Sequence, residues 1–432
     1  MGFGTLKAST LMRTVAASVA ALLVVSLFSV DTALAQKGTS DTGVPPSEDR
    51  SVEAGDAFSF EAGLKATLDS LDIDSIQPDE AFLSAGTQFL RAVERAFQSR
   101  YRYGVNVGAL GLALMGTGLP GNPDPEPFSG AVIEDLFSVV LSDMADARAT
   151  LATFDNDADF SVAVDLSSVW FDVNDDDVRQ PGEGLLQLTT GIFNLRGAAQ
   201  QFTQSGSQLV VDFDQSDAAW LTAYTHFISA TSRMVLAFSP GETLDEVFTT
   251  ASELDAVATE SSGFIATERR AIDLVYAFLK ILEKTPNADD TRAAREHMLA
   301  MIANNRIFWE RVAAETDSAR EWIPNQAQVA ALPIEFPGEV GPSWLAVLSD
   351  LEALLEGRLL APHWRLGMTG ATHGINIRTL FENPQSMDML SLFQGGGIAF
   401  AVEEGPIIST RNWQQFQSVV GRRRGFLPLI LN

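Results

Sequence analysis

Residues 216–238, SDAAWLTAYTHFISATSRMVLAF, decide the fold class. The stretch contains neither Gly nor Pro, and its large side chains fall on one stripe. Trp220, Tyr224, Phe227, Thr231, Met234 and Phe238 follow one another at alternating steps of four and three, the period of one helix face. Ser216 is placed to cap the helix, and Asp217 suits its positive N-terminal end. A long helix with a buried aromatic face is predicted here.

Outward from this stretch the same period recurs. Residues 80–103 carry Phe82, Phe89, Leu90, Val93, Phe97 and Tyr101 on one face, and residues 130–153 carry Ile133, Leu136, Phe137, Val140, Leu141 and Met144. Further helices are predicted at 242–257, 266–284, 289–316 and 343–357. PNADD (286–290) breaks and caps between two of them, and Gly357 ends the last. Two regions depart from this pattern. DFSVAVDLSSVWFDV (159–173) is rich in β-branched residues in partial alternation and reads as strand. The last seventy residues are rich in Gly, which predicts loops and short strands. The expected fold is mainly α, a multi-helix globular domain with a minor β component near 159–173 and 361–410.

The chain has 432 residues, 46% hydrophobic and 20% charged, enough to bury a sizeable core. Its formal net charge of −27 argues against nucleic acid as partner, because phosphate contacts need Lys and Arg. Cysteine is absent, which excludes disulfides, thiol catalysis and zinc–thiolate sites. Two positive charges, an apolar run at 14–30 and an Ala-x-Ala at 33–35 have the layout of a secretory signal. The expected organisation is a signal peptide at 1–35, a disordered or linker leader at 36–75, and a mostly helical domain at 76–432 with an inserted strand and calcium loop at 159–185. The mature chain is expected to have no membrane span, and the protein to be periplasmic or extracellular.

The acidic loop carries the most specific chemistry. Asp172, Asn174, Asp175, Asp176, Asp177 and Glu183 fall within twelve positions. A calcium ion takes six to eight oxygen ligands, and a twelve-residue loop supplies them from positions 1, 3, 5, 7, 9 and 12. Counted from Asp172, these are Asp172, Asn174, Asp176, the carbonyl of Val178, Gln180 and Glu183. The stretch WFDVNDDDVRQPGE resembles the calcium loops of bacterial surface and secreted proteins, which read D-x-N-x-D-G-V-x-D-x-G-E, and is similar to EF-hand and dockerin loops. That resemblance covers about fourteen residues and implies a bound Ca²⁺ without implying a fold. It departs at position 6, where Asp177 replaces a left-handed Gly, at position 8, where Arg179 replaces an apolar residue, and at position 9, where Gln180 replaces Asp.

Other signals are weaker. Asp155, Asp157 and Asp159 lack an acid at position 12. Gly116-x-Gly118-x-x-Gly121 matches a dinucleotide fingerprint, but prolines follow where a helix is required. His226 reads as a packed, hydrogen-bonded residue. His363 and His373 flank a segment with Trp364, Arg365, Asn376 and Arg378 that could line a pocket. Glu403 and Glu404 are adjacent in a predicted strand and point to opposite faces. GRRRG (421–425) is a small basic patch. WLTAYTHF (220–227), APHWRL (361–366) and GINIRTLF (374–381) loosely resemble exported bacterial proteins of unassigned function, which adds to the expectation of export. The expected role is a calcium-stabilised binding or structural module for a small molecule, polymer or protein. The alternative is an all-α hydrolase or lyase acting on a carbohydrate or related polymer.

Overall fold

The computed structural model describes residues 57–72, 77–104, 121–153, 158–192, 208–257, 263–316, 320–331, 337–386 and 388–420. The residues of the predicted signal sequence, most of those of the predicted leader, Asp155, Asp157, Gly116, Gly118 and GRRRG lie outside the described residues. The fold is mainly α, with three two-stranded sheets among the described residues.

In chain order, α1 spans Leu64–Ser70, α2 Pro78–Arg102, α3 Ala131–Leu151, β1 Ser161–Asp165 and α4 Leu185–Ile192. Then follow β2 Val210–Asp214, α5 Gln215–Phe238, α6 Gly241–Val257, α7 Gly263–Leu282 and α8 Ala288–Ala314. Short strands β3 Arg320–Glu321 and β4 Val329–Ala330 lead to α9 Val340–Leu355. The C-terminal part holds β5 His373–Ile375, α10 Ile377–Glu382, α11 Met389–Gln394, β6 Val402–Glu404 and α12 Arg411–Val420, with two 3₁₀ turns between them.

The predicted central helix is α5, and its start differs from the expectation. Its N-cap is Asp214, not Ser216, because β2 runs directly into the helix and delivers the last strand residue to the cap. The Asp214 carboxylate accepts from Ser216 N at 2.7 Å and from Asp217 N at 3.4 Å, and Asp217 Oδ2 accepts in return from Asp214 N at 3.1 Å, a reciprocal capping box. The predicted stripe is also incomplete as a description of burial. None of α5's residues is exposed. The fully buried positions include Ala219, Ala223, Thr225, Ser229 and Ala230, while Trp220, Tyr224, Phe227 and Met234 are half-buried.

Small side chains on one side let α8 pack along α5, and Met298, Met301, Ile302, Phe308 and Trp309 of α8 fill the main core with them. The aromatic side faces a second set of partners. Trp220 meets Trp322 at 5.6 Å between centroids, and Tyr224 meets Phe89 of α2 at 5.5 Å. α9 and α12 close the opposite flank through Trp344 and Phe416, 5.1 Å apart. Helix ends follow local chemistry: Pro78 opens α2, Asn287 caps α8 by accepting from Asp289 N and Asp290 N, and Gly357 (φ 74°) ends α9.

Part of the expected leader is built into the fold. Phe60 and Leu64 are buried with Phe97, Val164 and Phe171, and Phe58 adds an edge to β1 through Phe58 N→Ala163 O at 2.8 Å and Asp165 N→Phe58 O at 2.9 Å. Apolar Phe58, Phe60 and Leu64 outweigh the polar residues around them, so the ordered chain starts well before residue 75. The predicted strand is shorter than 159–173: only 161–165 pair with β2, Ser161 opposite Asp214 and Asp165 opposite Val210. No helix among the described residues is long and apolar enough to cross a membrane. Phe308 is fully buried at the α8 core. Phe308→Ala is expected to cost about 3–5 kcal/mol in urea unfolding, with the midpoint falling and the slope unchanged.

Candidate functional site

The acidic loop hangs from a narrow neck. After β1, Asp165 accepts from Ser167 N at 2.9 Å and turns the chain. Val169 to Val173 are all buried, which anchors the loop's near end in the N-terminal core. Phe171 N→Glu183 O and Leu185 N→Val169 O, both 2.9 Å, close the neck, and Trp170 pairs with Gly184. Leu185 then starts α4.

Inside the neck the loop winds around its own acids. Asp172 Oδ1 accepts from Asp176 N at 3.0 Å and Oδ2 from Asp177 N at 2.8 Å. Asp176 Oδ1 accepts from Val178 N at 2.9 Å, and its Oδ2 accepts from the side-chain amides of Asn174 and Gln180, both at 2.8 Å. Glu183 Oε1 accepts from Val173 N at 3.1 Å and Oε2 from Gln180 N at 2.7 Å. Asp177 takes the left-handed conformation (φ 58°) at the position where the resembling loops carry Gly, and Asp175 does the same (φ 61°).

The site therefore brings Asn174, Asp176 and Gln180 together directly and ties Asp172 and Glu183 to loop N–H groups. Val178 contributes its N–H to Asp176, and its side chain is exposed. Among the described residues, no group of three or more His, Asp or Glu is close enough to hold a metal ion. Asn174 Oδ1 is buried and takes no hydrogen bond. Burial raises the Glu183 carboxyl above its usual value against the pull of its two N–H donors. The hydrogen bond from Asn174 is the main influence lowering Asp176.

Two α2 residues at this site were not anticipated from the sequence. Glu94, only 1% exposed, accepts from Asp172 N at 3.3 Å through Oε1. One turn on, Gln98 Nε2 donates to Asp172 O at 2.9 Å and to Asp175 Oδ1 at 3.2 Å. The available signal was a charged residue beside Val93 and three before Phe97, on the apolar face of a predicted helix.

The histidines divide into two environments. His226 of α5 and His297 of α8 meet Nδ1 to Nδ1 at 2.8 Å, so one neutral ring donates and the other accepts. Burial first, then the nearby Arg148 of α3, lowers them to about 3 and about 4. Arg148 itself donates to Ser229 Oγ at 2.9 Å, and Arg233 is paired with Asp290 at 2.8 Å. The segment at 363–378 uses its polar groups locally. His363 caps a 3₁₀ turn, Asn376 caps α10 and donates to Glu403 Oε2 at 2.9 Å, and Arg378 pairs with Glu382. Trp364 is exposed, stacked on Phe393 at 5.4 Å with Arg365 over its ring. A separate cleft of about 240 Å³ is lined by Thr243, Glu246, Lys280, Glu283 and Lys284, where Lys280 pairs with Glu283 and Lys284 donates to Ser239 O.

No protein family, curated protein or solved structure matches the chain.

The histidine pair makes stability depend on pH. Its folded-state values lie below the usual 6.5, so the unfolded chain binds the extra protons. Its contribution is present above pH 6.5 and is lost as pH falls from there toward about 4 and then about 3. The variant His226→Gln with His297→Gln is expected to show a flatter fall in melting temperature between pH 6.5 and 4 than the wild type.

Proposed function

We propose that the protein is an exported, calcium-stabilised helical module with a binding or structural role. The loop at 172–183 is its metal clip, with Asp172, Asn174, Asp176, the Val178 carbonyl, Gln180 and Glu183 as ligands. The observation that carries this reading is the buried Asn174 Oδ1 without a hydrogen-bond partner, at the third ligand position. The left-handed Asp177 at the sixth position supports it, because the sharp turn of such loops needs that conformation.

Binding requires rearrangement within the loop. A Ca²⁺ ion takes the place of the N–H and amide donors now on Asp176 and Glu183, and the Asn174 amide turns its oxygen inward. Hard oxygen ligands on a flexible loop suit calcium better than a softer metal. Replacement of Asp by Gln180 at the ninth position lowers the ligand charge, which places affinity at about 10⁻⁴–10⁻³ M, the range of extracellular modules. Export rests on the signal-like residues 1–35, and an extracellular medium supplies calcium in that range. The partner is a small molecule, polymer or protein; the formal charge of −27 argues against nucleic acid.

The test is a thermal melt of the full-length protein in millimolar calcium and then in chelator. Calcium at ten times its dissociation constant adds about 1.4 kcal/mol, a shift of a few degrees. That shift is expected in the wild type and absent from Asp172→Ala with Glu183→Ala. Equal melting temperatures for the wild type with and without calcium would refute the metal clip.

A further inference from the structure

We infer that Glu94 of α2 is a further ligand of the loop's cation, so that a divalent ion ties the loop to the helix beneath it. This rests on the calcium reading above and adds a ligand from outside the twelve residues.

Glu94 is 1% exposed, yet its Oε2 is buried without any hydrogen-bond partner. Its other oxygen is occupied: Arg91 Nη1 lies 3.0 Å from Oε1, and Asp172 N donates to the same atom at 3.3 Å. A cavity of about 20 Å³ lies at this point, lined by Glu94, Trp170, Asp172, Asp177 and residues 62–66 at the start of α1. That is the size of a single water or ion. Residues of α2, the neck and the loop thus border one small space. Arg91 engages Glu94 on Oε1, and Lys65 on the cavity wall is solvent-exposed.

A buried carboxylate oxygen with no donor is costly, and adjacent like charges add to the cost. A divalent cation removes both penalties at once. It needs oxygen ligands at 2.3–2.6 Å, and Glu94 and Asp172 both border the cavity. Geometry favours this pairing because Gln98, one turn along the same helix face, already holds the Asp172 carbonyl. The ligand class is a hard divalent cation, and the site spans α2 and the loop.

The test uses terbium as probe on the full-length protein, with emission excited through tryptophan. Trp170 lines the cavity, so bound Tb³⁺ is expected to luminesce and Ca²⁺ to quench it by displacement. Trp170→Phe is expected to dim the signal, because the indole nearest the cavity is gone. Glu94→Gln is expected to raise that midpoint by at least about tenfold, because ligand charge sets affinity at such sites. In chelator the same variant is expected to melt at or above the wild type, since the buried charge is gone. Glu94→Asp keeps the charge and shortens its reach, and is expected to lose affinity too. Should Glu94→Gln and Glu94→Asp both bind calcium as the wild type does, Glu94 holds only a proton or a water and this inference fails alone. If the wild type itself gives no terbium signal and no calcium shift, the calcium reading fails with it.

Discussion

A helix with no exposed residue constrains everything around it, and α5 is such a helix. Its polar groups must find partners inside the protein. Thr222, Thr231 and Ser232 donate back to carbonyls one turn earlier, His226 pairs with His297, and Arg233 pairs with Asp290. Its first turn is closed by the Asp214–Asp217 capping box, where burial holds the Asp217 carboxyl well above its usual value. Each requirement recruits a neighbour: α8 for the small-residue side, β2 for the cap, α2 and Trp322 for the aromatic side. The largest hydrophobic cluster is the outcome of packing partners around this helix.

The N-terminal part obeys a second constraint, the docking of the acidic loop on α2. Phe58, Phe60 and Leu64 wrap the same small core that holds Val169, Phe171 and Val173 at the loop's neck. Trp170 Nε1 donates to Glu61 O, which joins the neck to the chain preceding α1. Loop, neck, α1 and α2 therefore form one packed unit, and a change in the loop is felt by the segment at 57–72. The link from loop chemistry to stability runs through this shared core.

Legibility in the sequence followed the range of each interaction. The helices at 215–238, 288–314 and 340–355 were readable because their signals are local: apolar period, caps and the terminal Gly357. The acidic stretch was readable as a loop after a strand because its clustered acids, Gly and Pro are also a local signal. The cap at Asp214 was missed because it depends on where β2 ends, which pairing with β1 sets. The ordered segment at 57–72 was missed because three apolar residues carry its burial amid polar neighbours. Glu94 and the His226–His297 pair are contacts between elements 78 and 71 residues apart, and no local period encodes them.

The loop carries backbone strain, and its neck holds buried carboxylates. Asp175 and Asp177 adopt positive φ, which costs an L-residue about 1–2 kcal/mol each. Glu183 and Glu94 are carboxylates that burial drives toward the protonated form. The Asp172 carboxylate, held by the N–H groups of Asp176 and Asp177, fixes the turn that imposes part of this strain. Such a loop persists only because its neck is anchored in an apolar core. In a chain without cysteine, a covalent staple across that neck is excluded. A cation bound by loop and helix oxygens would supply the same kind of cross-link and would offset the buried negative charge, which a disulfide could not do. The loop's acids and its burial thus make sense together if the ion is part of the folded state.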